Sequence, residues 1–157
     1  MDILVYAIKM ELDGEKYYKE QAEMNRENSL YRVFMDLAKD ESDHAKILED
    51  KARGSFYRLN SSVQSSVENV FAGLSNVKDI PRYQDQLGVY KMAMEKEKQS
   101  IDLYKKLLSE SGSDKELFDY LIEQEEEHCR IIEEIIRIAS RPEEWIEAAE
   151  FGLREDY

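Results

Sequence analysis

The chain has 157 residues, 35 acidic and 22 basic, for a formal charge of −13, with six glycines, two prolines and one cysteine. A field of that sign repels phosphate backbones and acidic bilayers, so it argues against nucleic acid and anionic membranes as partners and in favour of cations. Cys129 alone excludes an internal disulfide framework or a Cys-rich zinc or iron–sulfur module and fits a reducing cytoplasm. The length suits one domain over 1–157, burying roughly two-thirds of its unfolded surface.

Few helix breakers and abundant Glu, Lys, Leu, Ile and Met predict an all-α chain. The apolar start, Met1 to Met10, carries Asp2 and Lys9 and lacks a leader's charged segment and cleavage site, so it is expected to be mature helix. No apolar run is long enough to span a membrane. Helix A is expected over about 2–25, capped by Asp2, with Leu4, Ala7, Glu11, Tyr18 and Ala22 on one stripe. Helix B, about 29–53, takes Asn28 or Ser29 as a cap. Its stripe is Leu30, Phe34, Leu37, Glu41, His44 and Leu48, ended by Gly54. Residues 54–84 read as a Ser- and Asn-rich crossover, with one short amphipathic helix between Val63 and Leu74. Helix C, about 85–110, carries Tyr90, Ala93, Glu97, Tyr104 and Leu107. Helix D, about 114–139, starts on a Ser113–Glu116 capping box and carries Leu117, Leu121, Glu125, His128, Ile132 and Ile135. Pro142 suggests a short terminal helix over about 142–152.

The chain repeats itself. A shift of 86 lays Ala7, Glu11, Tyr18 and Lys19 on Ala93, Glu97, Tyr104 and Lys105. A shift of 84 lays Phe34, Leu37, Glu41, His44 and Ile47 on Phe118, Leu121, Glu125, His128 and Ile131. Two helix hairpins therefore share one template, each with its two glutamates at matching height. The long link between them lets helix C restart from the far end, the one-crossover arrangement of ferritin-like bundles.

Residues i and i+3 of a helix share a face, so Glu41 with His44, and Glu125 with His128, each offer an oxygen and a nitrogen to one point. With Glu11 and Glu97 they make four carboxylates and two imidazoles, enough to balance two divalent cations. Without a cation such a cluster would be costly in a low-dielectric interior. The mixed donors suit iron or manganese, not calcium. A charge run such as Glu125-Glu126-Glu127 is ordinarily a solvated face, and glutamate fills 23 of 157 positions. Yet the chain has only two histidines, and both stand on an apolar stripe three residues after a glutamate. Tyr18 and Tyr104, two turns beyond Glu11 and Glu97, either pack the core or hydrogen-bond a ligand carboxylate. The spacing leaves both open. Cys129 is expected to be a buried small hydrophobe, and Met92 and Met94 core filler.

On these motifs the chain resembles the rubrerythrins among the ferritin-like di-iron carboxylate proteins, over nearly all its helical length. The resemblance implies two iron ions, or manganese or a mixed pair, bridged by Glu41 and Glu125. Glu11 with His44 and Glu97 with His128 would be terminal ligands, and Tyr18 and Tyr104 would hydrogen-bond ligand glutamates. Rubrerythrins carry a further glutamate three residues beyond the helix C ligand; here it is Ser100, which puts redox-linked ligand switching in question. A four-cysteine rubredoxin module is absent from the 157 residues, so electrons are expected from a separate donor such as a rubredoxin-like protein. The leading expectation is an oxidoreductase reducing hydrogen peroxide or dioxygen. The alternatives are a ferroxidase or iron-handling protein, which for storage would need a hollow shell, and a metal-stabilised bundle without turnover. The terminal segment could instead cover a homodimer face, and the crossover could exchange between copies.

Overall fold

The computed structural model describes residues 2–59, 84–110 and 114–140, which form four helices and, among the described residues, no strand: α1 (Ile3–Met24), α2 (Leu30–Ala52), α3 (Gln84–Glu110) and α4 (Lys115–Ala139). The expected terminal helix over 142–152 and nearly all of the crossover lie outside the described residues. No helix among those described is long and apolar enough to cross a membrane.

Local chemistry sets the helix ends. Asp2 Oδ1 accepts the Leu4 N–H at 2.9 Å and caps α1. In the turn that follows, Asn25 Nδ2 donates to the Gln21 carbonyl and Asn28 Oδ1 accepts the Leu30 N–H, both at 2.8 Å. Asn28, not the nominal cap Ser29, thus satisfies the start of α2. At the other end Gly54 takes φ 72°, the left-handed region that glycine enters without steric cost. The Gly54 N–H then reaches the Lys51 carbonyl and the Ser55 N–H that of Asp50, closing the helix in a Schellman turn. The expected Ser113–Glu116 capping box lies outside the described residues at Ser113; Asp114 stands at the N-cap of α4 and its side chain makes no cap bond. The Asp114 carboxylate instead pairs with Lys51 at 2.7 Å, tying the start of α4 to the end of α2.

Side chains fix the topology. Tyr18 meets Glu97 and Tyr104 meets Glu11, so α1 and α3 run antiparallel. His44 meets Glu125 and His128 meets Glu41, so α2 and α4 do too. The chain therefore leaves α2 at one end and enters α3 at the other, as the crossover reading required. Backbones lie close within each hairpin, α1 on α2 and α3 on α4. Between hairpins they are held apart by large side chains.

Two apolar clusters fill the interior. One, toward the 25–29 turn, joins Tyr18, Ala22, Leu30, Phe34, Leu37, Tyr90, Ile132 and Ile135. The other, at the opposite end, joins Ala7, Leu48, Tyr104, Leu107, Leu117, Phe118 and Leu121. The internal repeat is visible as packing: Tyr18 stacks on Phe34 at 6.1 Å, and its counterpart Tyr104 stacks on Phe118 at 6.3 Å. Met94 packs on the first cluster, whereas Met92 is 63% exposed and is not core filler. Cys129 is only half-buried, because it lies one residue, about 100°, off the inward stripe of α4.

Candidate metal centre

Between the two apolar clusters lies a buried polar layer. Glu11, Glu41, His44, Glu97, Glu125 and His128, one or two from each helix, are all at most 5% exposed. Their donor atoms form two overlapping groups: Glu11, Glu41, His44 and Glu125, then Glu41, Glu97, Glu125 and His128. Within each group the atoms lie within 4.8 Å of one another, and Glu41 and Glu125 belong to both. The i, i+3 spacing on α2 and α4 aims each Glu and His at the same point, while the antiparallel crossing brings the two points together.

Each imidazole presents Nδ1 to the carboxylates. His44 Nδ1 lies 3.0 Å from Glu125 and 3.3 Å from Glu11. His128 Nδ1 lies 3.0 Å from Glu41 and 3.4 Å from Glu97. The rings stack with centroids 5.9 Å apart. The outer nitrogens are also engaged: His44 Nε2–H donates to Gln124 Oε1 at 2.9 Å, and His128 Nε2–H to Asp40 Oδ2 at 3.0 Å. Tyr18 donates to Glu97 at 2.7 Å and Tyr104 to Glu11 at 2.5 Å. Each tyrosine thus serves the glutamate of the opposite hairpin, and of the two roles its spacing left open it fills both, packing the core and bonding a carboxylate.

Electrostatics divide the four glutamates into two kinds. Burial alone would raise Glu11, but His44 and the bonds from its neighbours hold it below the usual carboxylate range. Glu97 resists burial in the same way through His128 and Tyr18, and sits at about 2. Glu41 and Glu125 are pushed well up, first by burial and then by the surrounding carboxylates. Burial pulls the histidines down, but the adjacent Glu11 and Glu97 outweigh it and raise His44 and His128 respectively. Glu11 and Glu97 are thus held low, and the two glutamates shared by both groups are pushed up.

Two observations show that the layer fits metal ions. Both oxygens of Glu125 and Oε2 of Glu97 are buried without an aligned hydrogen-bond donor among the described residues, even though His44 Nδ1 approaches Glu125. Such orphaned acceptors are costly unless a cation completes them. The donor set itself, four carboxylates and two imidazoles, carries four negative charges once deprotonated, matching two divalent ions.

Three further residues escaped sequence reading. Asp40 and Gln124 each precede a layer glutamate, but they bond the histidine of the other hairpin. Gly14 lies one turn beyond Glu11, and a Cβ there would come within 3.0 Å of Glu41 Oε2. It lets the Glu41 carboxylate press against the α1 backbone. Beside it, a cleft of about 530 Å³ between α1 and α3 runs inward from Tyr6 and Met92, past Gly14 and Ser100, to Tyr18, Glu41 and Glu97.

Helices in two antiparallel pairs, joined so that the chain returns to the far end, around a buried layer able to hold metal, define a ferritin-like bundle. The chain belongs to the rubrerythrin family, whose profile matches residues 2–136. No curated protein and no solved structure matches it.

Proposed function

We propose that the protein is a di-iron oxidoreductase that reduces hydrogen peroxide or dioxygen with electrons from a separate redox protein. The observation that carries this reading is the pair of overlapping four-residue groups that share Glu41 and Glu125. On this reading Glu11, Glu41, His44 and Glu125 would hold one ion and Glu41, Glu97, Glu125 and His128 the other, with Glu41 and Glu125 common to both groups and each histidine offering Nδ1. When bound, two ferrous ions would supply the two electrons that, with two protons, convert one peroxide to two waters.

The chain's own part is positioning and proton supply. Tyr18 and Tyr104 hold Glu97 and Glu11 from outside the ligand set, and burial together with the neighbouring carboxylates keeps both phenols protonated. Each phenol donates its proton straight to a carboxylate of the layer. The cleft past Gly14 and Ser100 gives a small oxidant a route to Glu41 and Glu97, while the apolar clusters above and below exclude bulk water. Loaded anaerobically with ferrous iron and then given peroxide, the protein should oxidise two irons per peroxide. No oxidation at that ratio overturns the reading, and metal analysis of protein purified without added metal tests iron against manganese.

A further inference from the structure

The two halves of the metal layer match at every ligand and at both tyrosines, but not behind the histidines. Positions 40 and 124 are equivalent under the 84-residue repeat, and each supplies the acceptor for a histidine's outer nitrogen. One is a carboxylate, Asp40 on His128, and the other a neutral amide, Gln124 on His44. For Nδ1 to hold a cation the ring must carry its proton on Nε2. A carboxylate accepting that proton draws it outward and leaves more electron density on Nδ1, and it adds a negative charge to that side of the layer. An amide does neither.

From this contrast, and resting on the reading that the layer holds two divalent ions, we propose that Asp40 and Gln124 make the two metal positions unequal, the position at His128 being tighter and the first to fill. Asp40 is 36% exposed at its side chain, so solvent screens part of its charge, but the hydrogen bond remains. The expected difference is therefore about tenfold, the lower end of the 10–100-fold range for partners of metal-bound histidines.

Zinc is a redox-inert, diamagnetic probe that takes carboxylate and imidazole ligands. Because the chain has two histidines, protein with ¹⁵N-labelled histidine gives two imidazole systems, assigned by comparison with His44→Gln. Metal-free protein is titrated with zinc while ring nitrogen shifts and binding heat are followed. The expected result is that His128 Nδ1 shifts in the first equivalent and His44 Nδ1 in the second. Asp40→Asn, of unchanged shape, should merge the steps at the weaker affinity. Gln124→Glu should merge them at the tighter one, a gain that misfolding cannot imitate, and the double variant should reverse the order. Simultaneous filling in the unaltered protein, or an order indifferent to both substitutions, overturns the proposal. Absence of any zinc binding would instead sink the two-metal reading beneath it.

Discussion

The two apolar ends of the bundle and the polar layer between them are built on the same four stripes. At the ends those stripes place Leu, Ile, Phe and Tyr against one another, and the buried side chains are almost all apolar. In the middle the same positions place four carboxyls and two imidazoles, with orphaned oxygens on Glu125 and Glu97. The ends hold the fold together, while the middle costs stability until a cation arrives. That difference separates residues that pack the interior from residues that could hold a metal ion.

The sharpest way to test the contrast is to make the middle resemble the ends. Glu125→Leu removes a shared donor and two unsatisfied oxygens. Metal affinity should fall by more than the roughly 10–100-fold typical of a ligand's outer partner, while the metal-free protein gains about 1–3 kcal/mol. Ile135→Ala, in the apolar end, should do the reverse: about 2–5 kcal/mol of stability lost to the cavity, with metal affinity of the folded protein unchanged. Denaturant unfolding with and without metal, beside a metal titration, reads both. Equal losses of stability at the two sites would erase the distinction.

Acidity should pull the two states of the middle layer in opposite directions. Glu41, Glu125, His44 and His128 have folded values above the unfolded ones of 4.5 and 6.5, so the folded metal-free state binds more protons. Their stabilisation is complete below those unfolded values and is lost as pH rises through the folded ones. Glu11 and Glu97, held low, lose theirs as pH falls below 4.5 toward the folded values, about 2 for Glu97. Metal-free stability from these groups should therefore peak near 4.5 and decline above it. Metal binding must expel the protons of Glu41, Glu125, His44 and His128, so affinity should rise over the same interval, with up to four protons released as two ions bind. Melting temperatures of chelator-treated and metal-saturated protein across pH, with proton release measured in weakly buffered calorimetry, check both slopes. Parallel slopes would contradict the assignment.

The smallest expected effect is at Gly14. Alanine there should add up to about 1 kcal/mol of helix stability yet press Glu41 aside by a few tenths of an ångström. Metal affinity should drop less than for Glu125→Leu, with no loss of metal-free stability. A variant that binds metal as tightly as the parent would show that Glu41 has room to move.

How legible these regions were differs for physical reasons. The inward stripes could be read because a helix repeats every 3.6 residues, so Leu30 through Leu48 and Leu117 through Ile135 declare their faces without reference to a partner. Glu and His interrupting an apolar stripe at i, i+3 marked the layer in the same way. Met92 was misread because it lies beside the stripe of α3, at the rim of a cleft that no spacing rule reveals. The Lys51–Asp114 pair could not be read because its partners stand far apart in the chain.

What the sequence determined by itself is which side chains each helix turns inward and that two hairpins share one plan, since both follow from angles about a single helix axis. Which side chains meet across the bundle was decided only by tertiary structure: Tyr18 with Glu97, His128 with Asp40, Glu41 against Gly14. Those meetings depend on the height and rotation of one helix against another, quantities that all the packed side chains set together.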